Sequence, residues 1–352
     1  MVAPFFCRSP FVPASLRRAL VCAALVSLTT PVLARAQDAD SPSSLVGATM
    51  LDLQADAWLQ PGPGRSLLAQ GEFRRVVADH WELGFAPALS GYTGPHASSV
   101  GVAVEGMANY MIGAGRARAY VGAYGGGSGG SHGGGSFGVG AQVGSLYFPA
   151  PTTALRVELS ARRWDSFSTR PLLGGSLALE PWIGRHGSER PTLPSTGVAD
   201  ASLSAFIEFN SRRERHLDLM IAPFLSSWAQ IGGEYEAYTL PMGGAWHTTH
   251  RFNGFARLYA PLSPAAMPFV HGFMETTRSA FDGSWPMSYG LMGGVRHNFN
   301  RGAAFDAGLQ WRRYQLTEVM TVLDAPEGTS ILHQRPDELT LQARMVVELH
   351  AR

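Results

Sequence analysis

The sequence predicts an all-β fold, an antiparallel up-and-down transmembrane β-barrel of about sixteen strands, with fourteen as the alternative. Three observations carry this expectation. Apolar and polar residues alternate with a period of two in segment after segment. Prolines and glycines punctuate those segments at turns, and no stretch beyond residue 36 holds the ~18 consecutive apolar residues of a spanning helix. Forty-one glycines, 10% aromatic and 16% charged residues exclude both a disordered chain and an ordinary soluble enzyme.

The first 36 residues read as a cleaved signal peptide. Arg8, Arg17 and Arg18 precede an apolar run from Ala19 to Leu33, and Ala34-Arg35-Ala36 forms an A-x-A site. Both cysteines, Cys7 and Cys22, fall within it, so residues 37–352 are expected to form a barrel without disulfides. All 28 basic residues are arginine; four precede residue 37, leaving 24 against 27 acids. That balance gives no sign of a nucleic-acid partner.

The strands follow in order. Leu51, Leu53, Ala55, Ala57 and Leu59 alternate with Asp52, Gln54, Asp56, Trp58 and Gln60, and Pro61-Gly62-Pro63-Gly64 then turns the chain. Further alternating segments lie at 65–77, 81–93, 100–113, 116–127, 135–149, 153–165 and 170–184. After a connection at Gly184 to Gly197 come 201–212, 215–230, 248–261, 267–280, 285–299, 303–317 and 338–350. That gives eight segments and then seven, an odd sum, whereas single-chain bacterial barrels have even strand numbers. One segment is therefore missed, merged or false, and the region 184–200 is where that error is expected. Short connections such as Ala78-Asp79-His80 alternate with long ones at Gly125 to Ser136 and Val319 to Asp337, the asymmetry of periplasmic turns and outer loops.

The halves, about 45–184 and 198–352, echo one another. ELGFAPALS (82–90) matches DLMIAPFLS (218–226) at an offset of 136, and LRVELSARRW (155–164) matches FDAGLQWRRY (305–314) at an offset of 150. A duplicated eight-stranded unit is the expectation, with the offset growing where a loop lengthened at Gly232 to Thr248.

Residues 72–165 run through EFRRVVADHWELGFAPALSGY, RARAYVGAYGGG and SFGVGAQVGSLYFPAPTTALRVELSARRW, and similar elements return in PFVHGF and YGLMGGVRHNFNRGAAFDAGLQWRRY. This resembles the opacity-like outer-membrane β-barrel family. The resemblance implies eight-stranded units, a bacterial outer-membrane location, and outer-membrane lipid, lipopolysaccharide and the assembly machinery as partners. Members of that family end on an aromatic residue; this chain reads LTLQARMVVELHAR.

In a barrel, Leu155, Val157, Leu159 and Ala161, like Phe305, Ala307, Leu309 and Trp311, face lipid. The alternate residues Arg156, Glu158 and Arg162, and Asp306, Gln310 and Arg312, then line the lumen as a wet channel or a salt-bridged plug. Arg163 and Arg313 have outward parity at strand ends, where a basic side chain costs little and can reach glycolipid phosphates. Trp58, Trp81, Tyr92, Tyr110, Tyr120, Phe148, Trp164, Trp182, Trp285, Phe299, Trp311 and Tyr314 lie near strand ends and read as an interfacial girdle.

No chemistry emerges from the motifs. His96-Ala97-Ser98-Ser99 lacks a carboxylate to orient a histidine, and His247-Thr248-Thr249-His250 lacks the remaining ligands of a metal site and reads as a solvated loop. The expectation is therefore no catalytic residue, no metal and no cofactor. Strand number favours a passive porin-like channel; the alternative is a structural or adhesion barrel with a plugged lumen and functional loops at 125–136 and 319–337.

Overall fold

A computed structural model describes residues 45–58, 65–93, 98–131, 135–165, 172–183, 190–209, 215–242, 245–278, 285–314, 322–323, 330–331 and 337–350. The expected signal peptide, residues 1–36, and His96 and His132 lie outside them. The first eight strands are β1 (Thr49–Trp58), β2 (Arg65–Ala78), β3 (Trp81–Thr93), β4 (Ser98–Ile112), β5 (Ala117–Gly130), β6 (Ser136–Ala150), β7 (Thr153–Trp164) and β8 (Leu172–Ile183). Then come β9 (Val198–Glu208), β10 (Arg215–Ser226), β11 (Ala229–Met242), β12 (Ala245–Tyr259), β13 (Ala266–Arg278), β14 (Met287–Asn298) and β15 (Ala303–Tyr314). A two-residue pair, β16 (Val322–Leu323) and β17 (Ser330–Ile331), precedes β18 (Asp337–His350).

All strands except β16 and β17 join one closed antiparallel barrel of sixteen, in which β18 lies between β15 and β1. Each strand inverts the soluble pattern. In β4, Val100, Val102 and Val104 are about half exposed, and in β14 Leu291 and Val295 are likewise exposed while Arg296, next along the strand from Val295, is 0% exposed. Apolar side chains point out and charged ones in, the arrangement that lipid outside and polar groups inside both favour.

The sixteenth strand is β11, not a segment within 184–200, whose described part, 190–197, is a connection. Gly232-Gly233 and Pro241 made Ala229–Met242 look like a lengthened loop. It is a strand because it pairs with β10 on one side and β12 on the other, and Glu234 and Glu236 point inward to arginines. The expected loop at 125–136 is also mostly strand, since β5 extends through Gly130. His247 and His250 sit in β12 rather than in a solvated loop, with His250 Nδ1 2.9 Å from the Tyr235 hydroxyl.

The sheet does not keep one cross-section along its length. At the end where β1 finishes and β2 begins, the loop end, β1 pairs with β18 (Gln54–Trp58 with Thr340–Arg344), and β8 pairs with β9 (Gly174–Ala178 with Ser204–Glu208). At the opposite end, with the tight turns Asp79-His80, Pro151-Thr152 and Ser227-Trp228, the partners change. There Thr49 and Met50 of β1 pair with Ile183 and Trp182 of β8, and Val198–Ala201 of β9 pair with Val347–His350 of β18. One sixteen-stranded barrel thus divides into two eight-stranded lobes, β1–β8 and β9–β15 with β18. Gly113 and Gly115, at φ 99° and 81°, make one turn at the divided end, in a left-handed conformation that suits glycine.

This topology sorts the two internal matches. Residues 155–164 and 305–314 lie on β7 and β15, eight strands apart, at equivalent places in the lobes. Residues 82–90 and 218–226 lie on β3 and β10, seven apart, so they run in opposite directions; an eight-strand period does not relate them. Period-two sequences resemble each other whichever way they cross the sheet.

Candidate functional site

Each lobe is filled at its divided end. An eight-stranded barrel has an interior just wide enough for side chains, and here those side chains form two charged networks. In the first lobe, Arg156 of β7 is the hub. Its Nε donates to Glu180 Oε1 at 2.6 Å and its Nη2 to Glu82 at 3.2 Å. Arg74 Nη1 donates to the same Glu180 oxygen at 2.9 Å and also contacts Glu72. Asn109 donates to Glu82 and Gln142 to Asn109, both at 2.7 Å, and the Tyr120 hydroxyl donates to Glu158 at 2.7 Å. Arg156 lies over the Tyr120 ring at 4.7 Å. Glycine makes the network fit: a Cβ at Gly122 would collide with the Asn109 amide, and one at Gly144 with the Tyr120 hydroxyl. Below it Met50, Met111, Leu146, Phe148 and Trp182 pack out of reach of solvent, with Phe148 edge-on to Trp182.

The second lobe has Arg296 of β14 as its hub. It grips Asp200 with both terminal nitrogens, at 2.7 and 2.8 Å, and gives Nη2 also to Glu348 at 2.7 Å and Nε to Asn298 at 2.8 Å. Arg257 reaches Asp306 at 2.5 Å and the Tyr259 hydroxyl at 3.0 Å. Gln230 donates to Asp200 at 2.6 Å and accepts from Tyr259 at 3.0 Å. Because guanidinium groups only donate, His271 Nδ1, 3.2 Å from Arg257 Nη2, is the acceptor of that contact. Phe224, Phe269, Met267 and Met292 pack beside the network.

Toward the loop end the interior opens into two chambers that share Gln54 of β1. The one above the first lobe holds about 430 Å³ and is lined by Asp52, Glu72, Glu105 and Glu158 with Arg74 and Arg162. The one above the second holds about 260 Å³, with Asp56, Glu234, Glu236, Glu275 and Glu338 against Arg251, Arg312 and Arg344. Arg344 of β18 crosses it to Glu234 of β11 at 3.2 Å, while Arg251 pairs with its strand neighbour Glu236 along the wall at 2.8 Å.

Of the residues singled out from the sequence, Arg156 and Glu158 are in the first network and Asp306 in the second. Arg162 is in the first chamber, 3.4 Å from Glu105. Gln310 and Arg312 line the second chamber, Arg312 at 3.2 Å from Glu275. Arg163 and Arg313 are exposed at the loop end, in register with Val139 and Tyr289. The girdle needs correction. Tyr120, Phe148 and Trp182, at most 2% exposed, belong to the interior of the first lobe, and the Tyr314 hydroxyl donates to Glu338 inside the second chamber. Trp81, Tyr110 and Trp285 are outward and exposed. Proximity to a strand end gave their height, but parity decides the side, and Tyr120 shares parity with Arg118.

The sequence reading missed Arg296, Arg257, Asp200, Glu348, Arg74, Glu82 and Glu180. A signal existed: each is a charged residue of inward parity within a few positions of a divided-end turn.

No family model and no curated protein sequence matches the chain. Among solved structures, a bacterial polysaccharide outer membrane secretin is similar over 88% of this chain and 100% of its own, at 10% identity and a TM-score of 0.44. CdiB from Acinetobacter baumannii is similar over 87% of this chain and 60% of its own, at 11% identity and 0.41. The CymD monoaromatic hydrocarbon channel is similar over 87% and 89%, at 11% identity and 0.35.

Proposed function

We propose that the protein is a bacterial outer-membrane barrel that holds its loop end to the exterior and is shut toward the periplasm, serving as a surface scaffold or binding barrel rather than a passive pore. Tight turns on one side and longer connections on the other support this orientation. One observation carries the closed state: the hubs Arg156 and Arg296 are 2% and 0% exposed, each held by carboxylates from other strands of its own lobe. Solutes entering from the loop end meet the two chambers and then the networks. Strand number alone favours passive diffusion, since wide barrels leave a wet lumen, and that second reading requires both networks to move aside.

Single-channel recording in planar bilayers tests the proposal. Correct insertion, shown by heat-modifiable gel mobility, should be accompanied by silence, and steady current from the unmodified protein would reinstate the pore. Descent from a duplicated opacity-like unit, export by the first 36 residues and delivery by the assembly machinery belong to the same reading, supported by strand style and the eight-plus-eight plan. Arg163 and Arg313 are assigned to glycolipid phosphates at the outer interface. Reversing both charges should then loosen lipopolysaccharide association without affecting insertion.

A further inference from the structure

A hollow of about 510 Å³ interrupts the outward face between β10 and β14. Its floor is a pair of glycines, Gly233 of β11 directly opposite Gly254 of β12. In the same row Ile221 pairs with Gly233 and Met274 with Gly254, and these side chains, 57% and 59% exposed, form the walls. One row toward the loop end, Tyr235 faces Phe252 with ring centroids 4.8 Å apart, and Trp285 lies 6.0 Å from Phe252. In the row beyond, Arg278 stands opposite His250, exposed, its guanidinium 6.0 Å from the Trp285 ring.

An apolar hollow facing hydrocarbon forfeits dispersion contacts unless a chain fills it. Taken alone, this one would accept any lipid tail. Arg278 adds a choice. It lies four residues beyond Met274 along β13, roughly 14 Å at the usual rise, which puts a cation at head-group height above a tail that reaches the glycines. A guanidinium matches phosphate by paired hydrogen bonds and stacks on indole at the same time.

We propose that this hollow is a lipid site: an acyl chain of a phosphorylated outer-leaflet glycolipid lies over Gly233 and Gly254, and a phosphate of the same molecule sits on Arg278. The site rests on the outer-membrane orientation proposed above, and cell fractionation checks that orientation independently of binding.

Glycine substitution provides a clean test. A Cβ at Gly254 meets nothing within 4 Å, and one at Gly233 meets the Asn253 carbonyl oxygen at 3.6 Å, an ordinary contact, so a side chain at 254 starts in open space and Gly254→Leu projects into the hollow. Protein extracted from outer membranes and delipidated in detergent is offered purified lipopolysaccharide or phosphatidylglycerol, and bound lipid is counted by native mass spectrometry. Lipopolysaccharide should be retained over phosphatidylglycerol, and Gly254→Leu and Arg278→Glu should each reduce its retention about tenfold, equivalent to ~1.4 kcal/mol, with Arg278→Lys in between. Unchanged retention in both variants, equal retention of phosphatidylglycerol, or a disulfide-linked dimer formed through Met274→Cys would each overturn the site while leaving the orientation intact. Absence of the protein from the outer-membrane fraction would overturn the orientation and the site together.

Discussion

The two lobes share a plan and solve it with opposite residues. Across β6 and β7, Leu146 faces Arg156; at the equivalent place across β14 and β15, Arg296 faces Asp306. Across β3 and β4, Glu82 faces Asn109, and across β11 and β12, Gln230 faces Arg257. The seams that close the lobes differ most. Met50 pairs with Trp182 in the first, whereas Asp200 pairs with Glu348 in the second, bridged by Arg296. An eight-stranded interior therefore demands filled volume and compensated charge, and it is indifferent to which strand supplies the cation. One seam is held by packing and the other by a single guanidinium.

The sharpest way to break the comparison is to remove that guanidinium. Arg296→Ala leaves Asp200 and Glu348 facing each other in a buried space while Arg257 still holds Asp306, and stripping one partner from such a group costs about 3–5 kcal/mol. We expect a loss near the upper end, read as a lowered urea midpoint for protein refolded into vesicles. The triple variant Arg296→Met, Asp200→Asn, Glu348→Gln should recover most of it, because replacing a whole buried ionic group is often neutral. Equal losses in the single and triple variants would mean that volume, not charge, closes the second lobe.

In the first lobe the corresponding change is Trp182→Ala. Emptying a buried aromatic position costs about 3–5 kcal/mol, and we expect the lower part of that range because Met50 and Phe148 can relax into the space. Combined with Arg296→Ala, the two losses should add to within about 0.5 kcal/mol if the lobes are energetically separate. A larger departure would show that the junction of β1, β8, β9 and β18 couples them.

Much of this was legible in the sequence, and the exceptions have physical causes. Fifteen strands follow from alternation because lipid on one side and polar neighbours on the other impose period two. β11 escaped because Gly233, Ala237 and Thr239 give its outward face little hydropathy, and Gly232-Gly233 resembles turn chemistry. Arg156, Glu158 and Asp306 could be assigned inward by parity, but parity carries no information about partners. That Arg156 meets Glu82, 74 residues away, and that β1 exchanges β18 for β8 part-way along, are properties of the closed sheet. Periodicity within one strand cannot encode either.

The smallest expected effect probes where the lobes touch. Gly302, in the turn between β14 and β15, sits against the β6–β7 turn so closely that a Cβ there would collide with the Thr152 side chain, and nearby Asn300 Nδ2 donates to the Trp182 carbonyl at 3.2 Å. Both contacts join one lobe to the other, and neither contributes to filling a lobe. Gly302→Ala should therefore cost about 1–3 kcal/mol through overpacking, at the lower end because a turn can shift. Adding Thr152→Gly removes the obstructing side chain and should restore the original urea midpoint. If Gly302→Ala proves silent, the lobes do not lean on each other at this turn, and the strand exchange alone holds them side by side.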